Sequence, residues 1–187
     1  MLNIVIFGKP GAGKGTQAEF LKSKYNLIHI STGDLFRYHI KNKTPLGLKV
    51  TSILENGDLV PDALTVDILE NEVNRHKKTN GFIFDGFPRT INQAISLENK
   101  LKQLNVNIKS VLNLDITNQK ILKRLAGRGR EDDKPELIKN RLKVYRNQTE
   151  PLLEFYSERS LLETINGDQS ETDVSSAIIN VLKAEVA

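Results

Sequence analysis

The chain contains no cysteine among its 187 residues. Disulfides, a cysteine nucleophile and thiolate-bound zinc are therefore excluded, and a reducing compartment fits. Long hydrophobic runs are also missing. A bilayer helix needs about 20 consecutive apolar residues, and the apolar stretches here fall far short of that. The first of them, Leu2 to Phe7, is too short for the apolar segment of a secretory signal, and no basic segment precedes it. No internal repeat and no low-complexity tract is visible. Charge of one sign is in little excess: Lys plus Arg number 27 against 23 Asp plus Glu, a net of +4. The excess is scattered, so it does not announce nucleic acid, and small anionic ligands explain it equally well. His29, His39 and His76 show no ligand spacing and read as structural or surface residues. What remains is ordinary for one soluble domain, with 39% hydrophobic and 27% charged residues. A soluble, cytoplasmic enzyme with no membrane or nucleic-acid partner is the expectation.

Short apolar runs alternate with amphipathic segments. Leu2 to Phe7, Leu27 to Ile30, Phe82 to Phe84, Ile108 to Asp115 and Leu161 to Ile165 read as buried strands. Helical spacing follows each of them. Lys14 to Tyr25 is the first helix, Pro45 opens another that stops near Gly57, and Asp62 reads as the N-cap of the next. A helix runs from about Ile91 to Leu104, another ends near Ala126, and Pro135 starts a long one that Pro151 interrupts or restarts. The last carries Val174, Ile178, Val181 and Leu182. Strands alternating with helices imply crossover connections and a parallel sheet buried on both faces. Ligands of such folds bind outside the carboxyl ends of the strands. Gly8 to Lys14, Thr32 with Asp34 and Arg37, Asp85 with Arg89, Asp115, and Asn166-Gly167 all follow strands, so a cleft is expected at that edge.

Gly8 to Lys14 has the spacing G-x-x-x-x-G-K after a strand and before a helix. Glycines let several backbone N–H groups point at one anion, the helix adds its positive end, and Lys14 adds a full charge. A plain glycine turn is the alternative, but three glycines and a lysine in this context favour phosphate. Gly15 then stands where a hydroxyl residue would hold Mg²⁺, and Thr16 follows it. The dinucleotide-binding spacing is not supplied.

The run Gly8-Lys9-Pro10-Gly11-Ala12-Gly13-Lys14-Gly15-Thr16 resembles the loop of nucleoside monophosphate kinases, in which Gly follows the Lys. Three further segments resemble that family in order: His29 to Asp34, Phe84-Asp85-Gly86-Phe87-Pro88-Arg89-Thr90, and the arginines Arg124, Arg128, Arg130 and Arg141 with Glu131, Asp132 and Asp133 among them. Within the family the chain is most similar to the adenylate kinases, in a short-lid form. The resemblance implies an α/β P-loop kinase fold in one domain, 1–187. It would have a five-stranded parallel sheet flanked by helices, a helical monophosphate-binding insertion at 31–60 and a lid at 127–133. It implies reversible transfer of a phosphoryl group between MgATP and AMP, giving two ADP, in adenine nucleotide homeostasis. A UMP/CMP-type kinase and a non-catalytic nucleotide switch are the alternatives.

The same resemblance distributes roles. ATP would meet Gly11, Ala12, Gly13, Lys14, Gly15 and Thr16, with Arg124 on its adenine, Arg128 on its phosphates and the backbone near Gln169. AMP would meet Arg37 and Arg89 through its phosphate, and Thr32, Gln93, Asp58, Leu59, Val60, Gly86, Phe87 and Pro88 elsewhere. Arg130 and Arg141 would bridge donor and acceptor phosphates. Lys14, Arg89, Arg128, Arg130 and Arg141 are thus the implied catalytic set. Arginine suits it because its fork meets two oxygens at once. Gln offers adenine both a donor and an acceptor. Bland readings stand beside these: Arg37 as a solvated helix residue, the later arginines as a basic face, and Leu59 and Val60 as core. Asp85 either caps the loop at Gly86 or holds Mg²⁺ through water, with no direct protein ligand to the metal. Zinc is not expected, and a monomer is. Gly127 and Gly129 are the expected hinges of the lid.

Overall fold

The computed structural model of the protein describes residues 1–76, 78–104, 106–130 and 133–186, with the main chain alone for Arg128 and 184–186. Strands β1 (Ile4–Phe7), β2 (Ile28–Ser31), β3 (Phe82–Asp85), β4 (Ser110–Asp115) and β5 (Leu162–Asn166) form one sheet in the order β2-β3-β1-β4-β5. Every pairing is parallel, so helices must carry each crossover. Among the described residues the α-helices are α1 (Lys14–Tyr25), α2 (Thr32–Lys41), α3 (Pro45–Glu55), α4 (Asp62–Arg75), α5 (Ile91–Gln103), α6 (Asn118–Arg128), α7 (Pro135–Val144), α8 (Pro151–Ser157) and α9 (Glu171–Val186), the last following the final strand. The expected α/β architecture is the observed one.

Alternation along β1 divides the core. Ile4 and Ile6 face one side, with Ala18 and Leu21 of α1, Ile121 of α6 and Ile178 and Leu182 of α9. Val5 and Phe7 face the other, with Leu69 and Val73 of α4, Leu97 and Leu101 of α5 and Leu152 and Tyr156 of α8. All residues of β1 and β3 are buried on both faces, which is why they read as continuous apolar runs. A smaller core of Phe36, Val50, Val60 and Ile68 holds α2 and α3 together and joins them to α4.

Local capping fixes several helix starts. Ser31 Oγ accepts from Asp34 N, Thr44 Oγ1 from Gly47 N, and Thr90 Oγ1 from Gln93 N. Three expectations shift. Asp62 is the first helical residue rather than the cap, which is Pro61. Helix α6 runs on through Gly127 to Arg128, so these two are helical and the connecting loop begins at Gly129, in the left-handed region at φ +68°. The long helix from Pro135 divides into α7, a π-helical turn at Tyr145–Thr149, and α8. Pro151 has no N–H for the carbonyl four residues earlier, so the chain widens, and Glu150 N bonds Tyr145 O at 2.9 Å instead. Among the described residues no helix is long and apolar enough to cross a membrane.

Candidate active site

Segments leaving the carboxyl ends of β1, β2 and β3 border a cleft of about 1140 Å³, and Gly129, Arg130 and residues between Lys134 and Thr149 line it too. This exceeds the few hundred to about 1,000 Å³ of a site for one small ligand. Among the described residues seven Lys and Arg line it against two acids, Glu55 and Asp58. Such a surplus in a concave site concentrates polyanions.

The loop Gly8–Lys14 emerges from the sheet's central strand. Gly8, Gly11 and Gly13 all have positive φ. At Gly8 the constraint is also steric, because a Cβ there would lie 2.9 Å from both Ala12 Cβ and Leu114 O. No acid stands in the first turn of α1, and among the described residues no side chain caps its N-terminus. That end is therefore suited to an external anion. Lys14 Nζ arches back over the loop, donating to Gly8 O at 2.7 Å and Lys9 O at 3.1 Å. Arg124 ties the loop to the one after β5: its Nη1 donates to Ala12 O at 3.2 Å and its Nη2 to Gly167 O at 3.0 Å. Gln169 is exposed beside that junction.

On the opposite side, Arg37 and Arg89 both line the cleft. Arg37 pairs with Asp34 one helical turn away. Burial would push the Asp34 carboxyl up, but Arg37, the Ser31 hydroxyl and the charge of Arg130 together hold it below its ordinary value. Arg89 Nε donates to Gly86 O at 2.8 Å, the carbonyl that also accepts from Thr32 Oγ1 at 2.8 Å. Asp58, Leu59, Gly86 and Pro88 lie on the wall, while Thr32, Val60, Phe87 and Gln93 are buried behind it. The amide of Gln93 is engaged within the protein: Oε1 accepts from Arg89 N and Nε2 donates to Asp62 Oδ1, both at 2.7 Å.

Arg130 and Arg141 reach the same cleft from the third side, and Arg141 Nη1 stands 3.8 Å from Asp133 Oδ1. The side chain of Arg128, and Glu131 and Asp132, lie outside the described residues. Asp85 ends β3 nearly buried, and a Cβ on Gly15 would lie 3.9 Å from its Oδ2. A hard carboxylate thus stands beside the end of the Gly8–Lys14 loop. Among the described residues no group of three or more His, Asp or Glu is placed to hold a metal by itself.

Sequence reasoning missed three features. His29 bridges two acids, with Nδ1 3.0 Å from Glu19 Oε1 and Nε2 3.5 Å from Asp85 Oδ2. Burial would lower its pKa, but the two carboxylates outweigh burial and raise it. Asn140 Nδ2 donates to Asn56 O at 2.6 Å and Asp58 Oδ1 at 3.1 Å, joining the end of the 31–60 segment to α7. Tyr145 and Thr149 of the π-helical turn line the cleft, and burial together with Glu150 and Asp115 pushes the Tyr145 phenol up to about 12. Only α7 carried a signal: Leu137, Arg141 and Val144 fall at helical spacing on the cleft side.

The family model for adenylate kinase matches residues 6–161, the stretch that builds this cleft from β1 through α8. The chain belongs to the adenylate kinase family. It is an enzyme, a phosphotransferase with adenylate kinase function. Among curated relatives it is similar to the adenylate kinase of Flavobacterium psychrophilum, 43% identical with 97% of this chain and 98% of the relative covered. The adenylate kinase of Leptospira biflexa is 44% identical over 96% of this chain and 98% of its own. "Adenylate kinase 1" of a Nostoc species is 45% identical over 94% and 95%. These lengths correspond nearly end to end, so the adenylate kinase function extends over the described architecture as a whole.

Proposed function

We propose that the cleft holds MgATP against the phosphate loop and AMP against Arg37 and Arg89, and passes one phosphoryl group reversibly between them to give two ADP. One observation carries this reading: cations from three separate walls, Lys14, Arg37 with Arg89, and Arg130 with Arg141, line a single cleft. A site for one phosphate chain needs only the first. Phosphoryl transfer asks little covalent chemistry of the protein, so positioning and charge neutralisation supply the rate. Lys14 and the N-terminus of α1 hold the outer phosphates of the donor. Arg37 and Arg89 present the acceptor phosphate, and Arg130 and Arg141 neutralise the charge that develops between them. Arg124 stands between the phosphate loop and Gly167, where the donor's base would leave the loop near Gln169.

Leu59 and Gly86 offer backbone and apolar contact to the AMP base. Gln93 keeps one amide hydrogen and one carbonyl lone pair beyond its internal bonds, the pair adenine's edge requires. Asp85 would hold Mg²⁺ that arrives with ATP through the ion's waters, with no direct protein ligand, since Mg²⁺ dehydrates reluctantly and keeps several waters. Held there, the ion would supply positive charge beside the outer phosphates.

The test is a coupled assay for ADP with ATP and Mg²⁺ against AMP, UMP, CMP and GMP, beside Lys14→Ala and Arg89→Ala. Turnover with AMP alone, lowered about 100-fold or more in both variants, is the expected result. Equal turnover with UMP or CMP would assign a different monophosphate. ATP binding with no acceptor-dependent turnover would make the chain a nucleotide-binding module.

A further inference from the structure

Arg89 is gripped at its backbone as well as at its guanidinium. Its N–H donates to Gln93 Oε1 at 2.7 Å, and its carbonyl accepts from Thr149 Oγ1 at 3.1 Å. Gln93 and Thr149 are both buried, 1% and 6% exposed. Gln93 is itself held, because its Nε2 donates to Asp62 Oδ1 at 2.7 Å. The other oxygen of Asp62 accepts from Thr90 Oγ1 at 2.9 Å, the hydroxyl that caps α5. The polarity of this chain is forced. A carboxylate only accepts, so the NH₂ of Gln93 must face Asp62, and its carbonyl is left facing the Arg89 N–H. The start of α4, the start of α5 and the π-helical turn, three separate elements, thus converge on the backbone of one residue.

We propose that Asp62 and Thr149 are positioning residues for Arg89: Asp62 acts through Gln93 on its N–H, and Thr149 acts directly on its carbonyl. The proposal rests on the reading that Arg89 grips the AMP phosphate. A bidentate contact depends on the guanidinium lying within a fraction of an ångström of its place, and its backbone is where that place is set. A π-helical turn at this point has a reason: it directs Thr149 at Arg89 while α7 presents Arg141 to the same cleft. The acceptor and the bridging arginine are thereby referenced to one another through a single hydroxyl. Asp62 lies two residues beyond the 31–60 segment, so the point where that segment rejoins the sheet is tied to the same arginine.

The experiment is steady-state kinetics for AMP and ATP separately on Asp62→Asn, Thr149→Val and Thr149→Ser, with thermal melts of each. Asparagine presents a donor as readily as an acceptor and removes the forced order. Valine keeps the shape of threonine and removes the hydroxyl, and serine restores it. The expected result is a rise of about tenfold in KM for AMP in Asp62→Asn and Thr149→Val. KM for ATP stays within about twofold, and Thr149→Ser behaves as the parent enzyme. An AMP KM that moves less than about threefold in both variants overturns the proposal. So does a parallel rise of both KM values with a lowered Tm, the signature of packing alone. Arg89→Lys, run alongside, separates the two levels. If it leaves KM for AMP at the parent value, the reading of Arg89 itself has failed. If it raises that KM while Asp62→Asn and Thr149→Val do not, only the positioning role has.

Discussion

Gly127 and Gly129 look interchangeable in the sequence, two glycines flanking an arginine before the acidic run. Their backbones are not. Gly127 is inside α6 with helical geometry, and among the described residues a Cβ there would meet nothing within 4 Å. Alanine at 127 fits without a clash and removes conformational freedom from the unfolded chain. It should stabilise by about 0.5–1 kcal/mol, the helix-interior difference between the two residues. Gly129 terminates the same helix at φ +68°, again with nothing among the described residues within 4 Å of an added Cβ. Alanine there meets no clash, yet its own Cβ disfavours the left-handed backbone by about 1–2 kcal/mol. In a chain of this size about 1 kcal/mol moves Tm by roughly 2–4 °C. Gly127→Ala should therefore raise Tm by roughly 1–4 °C, and Gly129→Ala should lower it by roughly 2–8 °C. Calorimetric or circular-dichroism melts of the two variants read this directly. Shifts of the same sign, or a lower Tm for Gly127→Ala, would refute the helical placement of Gly127. Turnover at saturating substrates adds the functional half. A hinge at Gly129 alone predicts that Gly127→Ala keeps parent turnover and Gly129→Ala loses some of it.

Three further outcomes are expected. His29→Gln should lower Tm more at pH 6 than at pH 9, measured without nucleotide or Mg²⁺. A raised His29 pKa gives stability that is complete below the unfolded value near 6.5 and is lost as pH rises through the folded one, so an equal loss at both pH values would contradict the bridge between Glu19 and Asp85. Asn140→Ala removes the bonds to Asn56 O and Asp58 Oδ1, and a loss of about 0.5–1.5 kcal/mol from the contact between the 31–60 segment and α7 should raise KM for AMP roughly two- to tenfold. An unchanged KM would show that this contact does not matter to the acceptor side. Phe84→Ala, in a fully buried strand, should destabilise by about 3–5 kcal/mol in denaturant titration, and a loss under about 1 kcal/mol would mean that the core on that face is not packed as described.

Features written in local chemistry were legible in the amino-acid order. The glycine-lysine loop between β1 and α1 is one of them, because its glycines and its lysine lie within the seven residues Gly8 to Lys14, directly between a strand and a helix. Strand positions were readable because burial on both faces leaves uninterrupted runs such as Phe82-Ile83-Phe84. Thr44 with Pro45 announced the start of α3, because capping and the fixed φ of proline act within one turn. Boundaries failed by a residue or two where tertiary support extends an element, as at α6, which Ile121 and Leu125 anchor to the sheet while Gly127 follows passively.

What only the folded chain decided are the meetings of residues far apart in sequence. Nothing local puts β1 between β3 and β4 and so brings the phosphate loop beside Asp85. No spacing rule connects His29 to Asp85, Asn140 to Asp58, or Thr149 to Arg89. Gln93 shows the difference most clearly. Its residue type gave a donor and an acceptor, but only the approach of Asp62 and the Arg89 backbone decided which way each points. Sequence sets which groups can bond, whereas the closure of the chain sets which of them arrive within 3 Å of one another.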